Sequence, residues 1–465
     1  MKINTNRKKG RRNESILQKV WSYAIATLII GLVIGAAVGY VMVPAPKEMV
    51  SKADFDKLKS DYDSTKAELD KVRTDLTAEQ AKTKTLEAEI AKLKQGAPLK
   101  AGWIYVGPIG DFGWTYAHDQ GRLYAEEKLP WLETVYVETV LEADCPRVID
   151  RLFLEEGCDV VFTTSFGFGP ATVEGGKKYP DKILFHCSGF ERGANVGTYF
   201  ADFYQVFYLN GLAAGALTET KKFGYVGAFP IPELIRHLNA FLLGAQEIDP
   251  EITLDTRWTY SWVLEPEAAI EAAESLIAGG CDVVSQTIDT PDIPRTCEKH
   301  TDAMDMGYPI YGFSHYSPMV KFAPDAILTG QLVQWGPMYV DILMKIHEGI
   351  YTPNNLANVD YWDLLASGNV EAGSDFGVPI SPKWASAVKE KMVTEKTTGT
   401  QMSVYDLIML RTKQMSEKAV LFDPFTGPIY DTEGSLKILA GTRASHDELW
   451  AMMWGVKGVS GIPKA

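Results

Sequence analysis

The sequence is poor in the residues that mark a metal site, a disulfide framework or a catalytic centre. Its 465 residues include five cysteines and seven histidines, and neither set has the spacing of metal ligands. The chain has no nucleophile elbow, zinc-protease motif, P-loop or dinucleotide-binding turn. The formal net charge of -14 gives no electrostatic case for nucleic acid as a partner. We therefore expect no metal, no cofactor and no catalytic residue.

The first hundred residues differ in composition from the rest of the chain. Residues 1–19 carry seven Lys and Arg against one acid, and residues 20–43 carry no charge. An uncharged stretch of this length can cross a bilayer, and its basic flank stays in the cytoplasm. We predict a cytoplasmic tail over residues 1–19 and an uncleaved transmembrane anchor over residues 20–43. The alternative is a cleavable signal peptide, whose apolar core is normally shorter.

A seven-residue repeat of apolar positions runs from Phe55 to Leu93. This pattern predicts a coiled-coil stalk over residues 51–95, along which two or three copies of the chain would associate. The alternative is a single amphipathic helix folded back on the globular domain. The segment that follows contains Gly96 and Pro98, which end the helix. The globular domain then occupies residues 99–465, outside the cell or in the periplasm.

In the globular domain, apolar strand-like runs alternate with amphipathic helices, which predicts parallel sheets covered by helices on both faces. Residues 151–164 and 274–287 resemble one another. Each segment ends a helix at a Gly and enters a buried strand through Cys-Asp-Val-Val. A repeat at this distance indicates two similar α/β lobes. The expected architecture is therefore periplasmic-binding-protein-like, with a cleft between the lobes that suits a small molecule.

The loop after the first predicted strand carries Asp111 and Trp114. Ligands of open α/β sheets bind at the carboxyl ends of the strands, which is where this loop lies. Asp111 could accept hydrogen bonds from a ligand, and Trp114 could stack on a flat ring. The alternative is that Trp114 is simply the first core residue of the next helix. Aromatic residues recur in other strand-end loops, so a planar heteroaromatic ligand is expected.

Several segments of the globular domain match a known family when they are taken together. They are residues 111–114, 223–232, 239–241, 423–431 and 454–459. Over residues 99–465 the chain resembles the basic membrane protein family, the purine- or nucleoside-binding components of ABC importers. The resemblance implies a type I periplasmic-binding-protein fold with two α/β lobes, three hinge crossovers and closure on the ligand. It also implies ABC permease subunits as partners, no cofactor and no enzymatic activity.

The resemblance also assigns roles to single positions. In nucleoside-binding members the first loop reads Asp-Lys-Ser-Phe-Asn, and its Phe stacks on the base. Here Asp111 matches the Asp, Trp114 matches the Phe, and Thr115 replaces the Asn. A family Asp falls at Pro170, and the Gly-rich loop that helps to hold ribose is replaced by residues 286–291. We therefore expect a free base such as adenine rather than a nucleoside.

The predicted site is a purine nucleobase site between two lobes. Trp114 stacks on one face of the base, and Phe166, Phe168 or His237 covers the other face. An interlobe salt bridge is the alternative role for Arg236. The predicted polar contacts are Asp111, Thr115, Arg236, Asn239, Gln286 and Asp289.

Three other functions stay open at this point. The first is a purine nucleoside binder of the same family. The second is an extracellular ligand-sensing module, in which the coiled coil transmits closure of the lobes across the membrane. The third is a nucleoside-cleaving enzyme, which would need a catalytic carboxylate or metal cluster, whereas Asp111 is isolated in the sequence.

Overall fold

The computed structural model describes residues 51–94, 98–262, 266–417 and 421–463. The chain divides into two units, one ending at Glu87 and the other beginning at Ala88. The predicted cytoplasmic tail and transmembrane anchor lie outside the described residues. Among the helices that are described, none is long and apolar enough to cross a membrane.

The segment predicted as a stalk is one continuous helix, α1 (Lys52–Lys94), which runs for 43 residues. At 1.5 Å per residue its length is about 65 Å. The side chains of Phe55, Leu58 and Leu76, which belong to the heptad seam, are each more than half exposed in the single chain. The helix predicted from the heptad pattern is therefore present, while its association with other copies stays a prediction.

Strands and helices alternate along the second unit, as the sequence predicts. The strands are β1 (Leu99–Ile104), β2 (Leu132–Val137), β3 (Val160–Thr163), β4 (Ile183–Cys187), β5 (Val196–Ala201), β6 (Lys222–Gly227), β7 (Thr253–Trp258), β8 (Val283–Thr287), β9 (Gly312–Tyr316), β10 (Ile327–Val333), β11 (Asp360–Asp363), β12 (Val370–Ala372), β13 (Met392–Thr394), β14 (Gln401–Ser403), β15 (Ile429–Tyr430), β16 (Leu436–Ile438) and β17 (Val459–Ser460). The helices are α2 (Trp114–Lys128), α3 (Cys145–Leu154), α4 (Gly169–Lys178), α5 (Tyr204–Leu217), α6 (Pro232–Ile248), α7 (Pro266–Ala278), α8 (Asp292–Ala303), α9 (Trp335–His347), α10 (Ala385–Glu390), α11 (Val404–Ser416) and α12 (His446–Trp450).

Lobe 1 is built on a six-stranded parallel sheet in the order β11-β5-β4-β3-β1-β2. Strands β3, β4 and β5 are buried at every residue, because helices cover both faces of a parallel sheet. Trp103 on β1 stacks on Phe162 of β3 with ring centroids 4.8 Å apart, in the centre of the core. The prediction of parallel sheets under helices is confirmed for this lobe.

Lobe 2 contains a four-stranded sheet, β17-β7-β6-β8, and a three-stranded sheet, β12-β10-β9. A parallel bridge between Val283 and Tyr311 connects the two sheets. All strand pairs in these two sheets are parallel except β10 with β12, which are antiparallel. The similar segments found in the sequence occupy equivalent places, since α3 leads to β3 and α7 leads to β8. Gly157 and Gly280 both adopt the left-handed conformation that ends a helix, with φ of 73° and 90°.

Within the described residues the chain passes between the lobes three times. It leaves lobe 1 after β5, returns after β10, and crosses again between β11 and β12. The crossovers are hydrogen-bonded to one another. The Asp202 N–H donates to the carbonyl of Asp363 at 2.8 Å, and the Gln334 N–H donates to the carbonyl of Asn369 at 2.8 Å. These segments form the hinge that the family resemblance implied.

Candidate ligand-binding site between the lobes

A cavity of about 20 Å³ lies between the two lobes. Its lining residues follow the carboxyl ends of parallel strands, as the general rule for α/β sheets predicts. A cavity of this volume has room for about one water molecule, whereas small-molecule pockets measure about 300 Å³ or more, so a ligand can enter only when the lobes move apart. Lobe 1 contributes Val106, Trp114, Ser165, Phe166 and Ser188, and lobe 2 contributes Glu233, Trp262, Asp289 and Tyr316.

Trp114 is both a core residue and a lining residue of the cavity. Only 6% of its surface is exposed, and its ring makes edge-on contacts with His118, Tyr316 and Trp335 at centroid distances of 4.4, 5.0 and 5.4 Å. The indole N–H donates to the carbonyl oxygen of Thr164 at 2.5 Å. The two interpretations of Trp114 from the sequence are therefore compatible, and the ring is held in one orientation.

Asp111 lies behind the cavity wall rather than among the lining residues. Its carboxylate accepts the backbone N–H groups of Gly113, Thr115 and Tyr116 at 2.8, 3.1 and 2.9 Å, and so caps the N-terminus of α2. Burial raises the pKa of Asp111, and these hydrogen bonds partly offset that rise. The hydroxyl of Thr115 is buried and accepts the Gly107 N–H at 3.2 Å. Direct contact of Asp111 and Thr115 with a ligand stays a prediction.

The two phenylalanines after β3 point in different directions. A single 3-10 turn, Phe166–Phe168, follows the strand and rotates successive side chains away from one another. Phe166 lines the cavity, whereas Phe168 is fully buried in the core of lobe 1. Of these two rings, Phe166 is the one placed to cover a ligand.

Arg236 and His237 on α6 are fully buried at the hinge. The Arg236 Nε–H donates to Asp202 Oδ2 at 2.7 Å, and His237 Nε2 lies 2.9 Å from Asp202 Oδ1. The Trp362 N–H, from β11 in lobe 1, also donates to Asp202 at 3.0 Å. Burial alone would raise the pKa of Asp202, but the Arg236 charge and these hydrogen bonds hold it at about 2. The salt bridge considered for Arg236 is therefore present, and contact of Arg236 and His237 with a ligand stays a prediction.

Asn239 holds the C-terminal segment against α6. Its side-chain amide donates to the carbonyl of Trp454 at 2.8 Å and accepts the Val456 N–H at 2.9 Å. Gln286 holds the loop after β8, because its amide donates to the carbonyl of Thr290 at 2.9 Å. Gln286 therefore positions the loop that carries Asp289, whereas Asn239 positions a segment without a lining residue. Neither side chain is itself among the lining residues.

Asp289 lines the cavity from the loop after β8, and its Oδ1 is buried without a hydrogen-bond partner among the described residues. Burial raises the pKa of this carboxyl well above its usual range, and the nearby acids Asp111 and Glu233 raise it further. The loop is in close contact with lobe 1, since a Cβ added to Gly113 would lie 2.9 Å from the Asp289 Cα. Ser317 of lobe 2 also donates to the carbonyl of Phe112 at 2.5 Å. The two lobes are therefore closed around the cavity.

Several lining residues were not predicted from the sequence. Glu233 follows Pro232 at the start of α6, where it reads as an ordinary acidic residue of a first helical turn. Its place just after β6 was the signal that could have identified it. Ser188 and Tyr316 are buried with positive φ of 58° and 61°, a strained conformation that occurs often at functional sites. No sequence pattern marks Ser188, whereas Tyr316 belongs to the aromatic strand-end loops from which the sequence predicted a planar ligand.

The chemistry of the cavity favours a planar ligand without negative charge. Among its nine described lining residues are four aromatic side chains, two carboxyls and two serines, and neither Lys nor Arg. Aromatic faces bind flat rings, while carboxyl and hydroxyl groups satisfy N–H and O–H groups of a ligand. The fold and this site together define the class: a two-lobed binding protein that closes on a small molecule.

The comparison with protein families identifies the family. The family model described as "Bmp: ABC transporter substrate-binding protein PnrA-like" matches residues 99–367, which is more than half of the chain. The chain therefore belongs to the Bmp family. It is a substrate-binding protein of an ABC transporter, which binds a ligand and acts with permease components, and it is not an enzyme.

Two curated relatives are each 34% identical to the chain. One is a purine-binding protein of Brucella abortus, matched over 78% of this chain and 93% of the relative. The other is a putative ABC transporter glucose-binding protein of Haloferax volcanii, matched over 67% of this chain and 73% of the relative. A solved ABC transporter solute-binding protein from Aeropyrum pernix K1 shares the fold, with a TM-score of 0.57 and 15% identity. That match covers 76% of this chain and 96% of the solved chain.

Proposed function

We propose that this protein is a membrane-anchored, extracytoplasmic binding protein that captures a purine nucleobase, such as adenine, for an ABC importer. The observation that carries the proposal is the closed cavity in which aromatic side chains and carboxyl groups face one small space. Base–aromatic stacking contributes about 1–3 kcal/mol per base. The purine-binding relative in Brucella supports the same class of ligand.

In this proposal Trp114 and Phe166 bind the two faces of the base. The hydrogen bond to Thr164 fixes the plane of the Trp114 indole before the ligand arrives, so little side-chain entropy is lost on binding. Asp289 supplies a free acceptor for an N–H of the base. The other predicted polar residues position these groups: Asp111, Thr115, Arg236, His237, Asn239 and Gln286.

A free base is favoured over a nucleoside because the loop that helps to hold ribose in nucleoside-binding members is replaced in this sequence by residues 286–291. A nucleoside remains the alternative ligand within the same family.

A sugar is the second candidate ligand. The Haloferax relative is described as a putative glucose-binding protein and has the same identity to this chain as the purine-binding relative. Aromatic faces next to carboxyl groups can also bind a sugar. Mass spectrometry of the small molecule that co-purifies with the full-length protein separates these candidates. We expect a purine base, and a sugar or a nucleoside as the main species would contradict the proposal.

The N-terminal part of the proposal concerns attachment to the membrane. Residues 20–43 anchor the chain, residues 1–19 stay in the cytoplasm, and α1 forms a coiled coil with other copies of the chain. The exposed apolar seam of α1 supports this association, because water-exposed Phe55 and Leu76 would be buried in it. In the alternative role, as a ligand-sensing module, the same coiled coil would transmit closure of the lobes.

A further inference from the structure

Glu233 brings a buried carboxyl group to the wall of the cavity. It is the second residue of α6, the helix that follows β6, and only 5% of its surface is exposed. Ser188 of lobe 1 lines the same cavity from the other side of the boundary between the lobes. Glu233 and Asp289 are the two carboxyl groups among the described lining residues.

Glu233 forms no ion pair with the described residues. The neighbouring cation is Arg236, whose Nε–H donates to Asp202 while its Nη1 and Nη2 are buried without a hydrogen-bond partner among the described residues. Burial raises the pKa of Glu233 to about 7, with Arg236 lowering it and Asp202 raising it. The other titratable groups that interact with Glu233 are Cys187 on β4, Tyr225 on β6, Asp289 after β8 and Tyr316 on β9.

We infer that Glu233 selects the ligand as a neutral carboxyl, which donates its O–H to a ring nitrogen and accepts the adjacent N–H of an uncharged nitrogen heterocycle. Adenine presents such a donor and acceptor side by side, at its exocyclic amine and N7. A negatively charged ligand would instead be buried without a cation among the described lining residues, and burial of an unpaired charge is costly. This role rests on the proposed function, because it assigns recognition of the base to Glu233.

The test is calorimetric titration of the detergent-solubilised full-length protein with adenine at pH 6, 7 and 8. Adenine keeps its charge over this range, whereas Glu233 loses its proton as the pH rises through about 7. The affinity is therefore expected to fall about tenfold from pH 6 to pH 8. Urate, which is an anion at neutral pH, is expected to bind at least about a hundredfold more weakly than adenine.

Two substitutions separate selection by Glu233 from a general effect of its side chain. Glu233→Gln keeps one donor and one acceptor at every pH, so adenine should bind with an affinity close to that of the unchanged protein at pH 6 and without pH dependence. Glu233→Ala should lose about ten- to a hundredfold in affinity. The matched control is Glu267→Gln, at the second residue of α7 after a proline, where the side chain is exposed. It should bind adenine with the affinity and pH dependence of the unchanged protein.

Three results would overturn the role of Glu233 while leaving the proposed function intact. They are adenine binding without pH dependence in the unchanged protein, pH dependence that persists in Glu233→Gln, and full affinity in Glu233→Ala. Urate binding as tightly as adenine would overturn the exclusion of anions. If the unchanged protein bound no purine at any pH, the proposed function itself would fail.

Discussion

The two lobes contribute different chemistry to one cavity. Lobe 1 presents the rings of Trp114 and Phe166 with two serines, and none of its lining side chains is charged. Lobe 2 presents the rings of Trp262 and Tyr316 together with Glu233 and Asp289, whose pKa values are raised because they are buried. The lobes therefore differ in their ionisable groups, and in the proposed function those of lobe 2 bind the edge of a flat ligand. Closure then favours ligands that satisfy both lobes.

The largest expected effect comes from breaking the ion pair between Asp202 and Arg236 at the hinge. Asp202→Ala leaves Arg236 fully buried without its partner, which should lower the free energy of unfolding by about 3–5 kcal/mol. Chemical denaturation measures this loss. Because the pKa of Asp202 in the folded protein is about 2, below its usual value, its contribution is present above pH 4 and lost as the pH falls through 2. A variant as stable as the unchanged protein would show that this ion pair does not stabilise the fold.

The next largest effect tests the aromatic side chains that lobe 1 contributes to the cavity. Trp114→Ala removes the proposed stacking surface and should weaken adenine binding by about 1–3 kcal/mol, or roughly ten- to a hundredfold. Trp114→Phe should keep most of the affinity, since an aromatic face remains. Trp131→Phe is the control, because that ring stacks on His347 with centroids 3.9 Å apart and is not among the lining residues. Unchanged affinity in Trp114→Ala would remove the stacking role.

The part of α1 up to Glu87 belongs to the other unit of the chain, so changes there should alter association and leave binding unchanged. Leu69→Asp places a charge in the heptad seam and should weaken any oligomer, as measured by analytical ultracentrifugation in detergent. Ala67→Asp adds the same charge on the outer side of the seam and should not. Equal association of both variants would contradict the coiled coil, and a change in adenine affinity would contradict the separation of roles.

The last prediction concerns the proposed membrane anchor, which should have the smallest effect on ligand binding. The full-length protein should stay with the membrane after a salt wash and retain Met1, because residues 20–43 are long enough to span the bilayer. Fractionation and N-terminal sequencing measure both properties. Recovery of a soluble form that starts near Pro44 would favour the cleaved signal peptide instead.

The sequence predicted the architecture better than the site, for a physical reason. The two lobes follow from local patterns, such as the Gly residues at 157 and 280 that end equivalent helices. The partners of the site residues are distant in the chain. Arg236 pairs with Asp202, 34 residues away, and Asn239 binds the backbone at Trp454, 215 residues away. Such pairings depend on the folded core, so no local sequence pattern predicts them.

The orientation of neighbouring side chains could not be predicted from the sequence either. Phe166 and Phe168 look equivalent in the sequence, but the 3-10 turn between them sends one ring to the cavity and the other into the core. Asp111 and Trp114 were predicted together, and the structure uses the carboxylate of Asp111 to cap the helix that carries the ring. The cavity wall therefore depends on both residues, although Trp114 is the one that lines it.

Calorimetric titration of the full-length protein with adenine, adenosine and glucose tests the central claim most directly. Each compound is compared under the same conditions, after any co-purified ligand has been removed. The account predicts that adenine binds, more tightly than adenosine, and that glucose does not bind measurably. Binding of glucose in place of adenine, or tighter binding of adenosine, would contradict it.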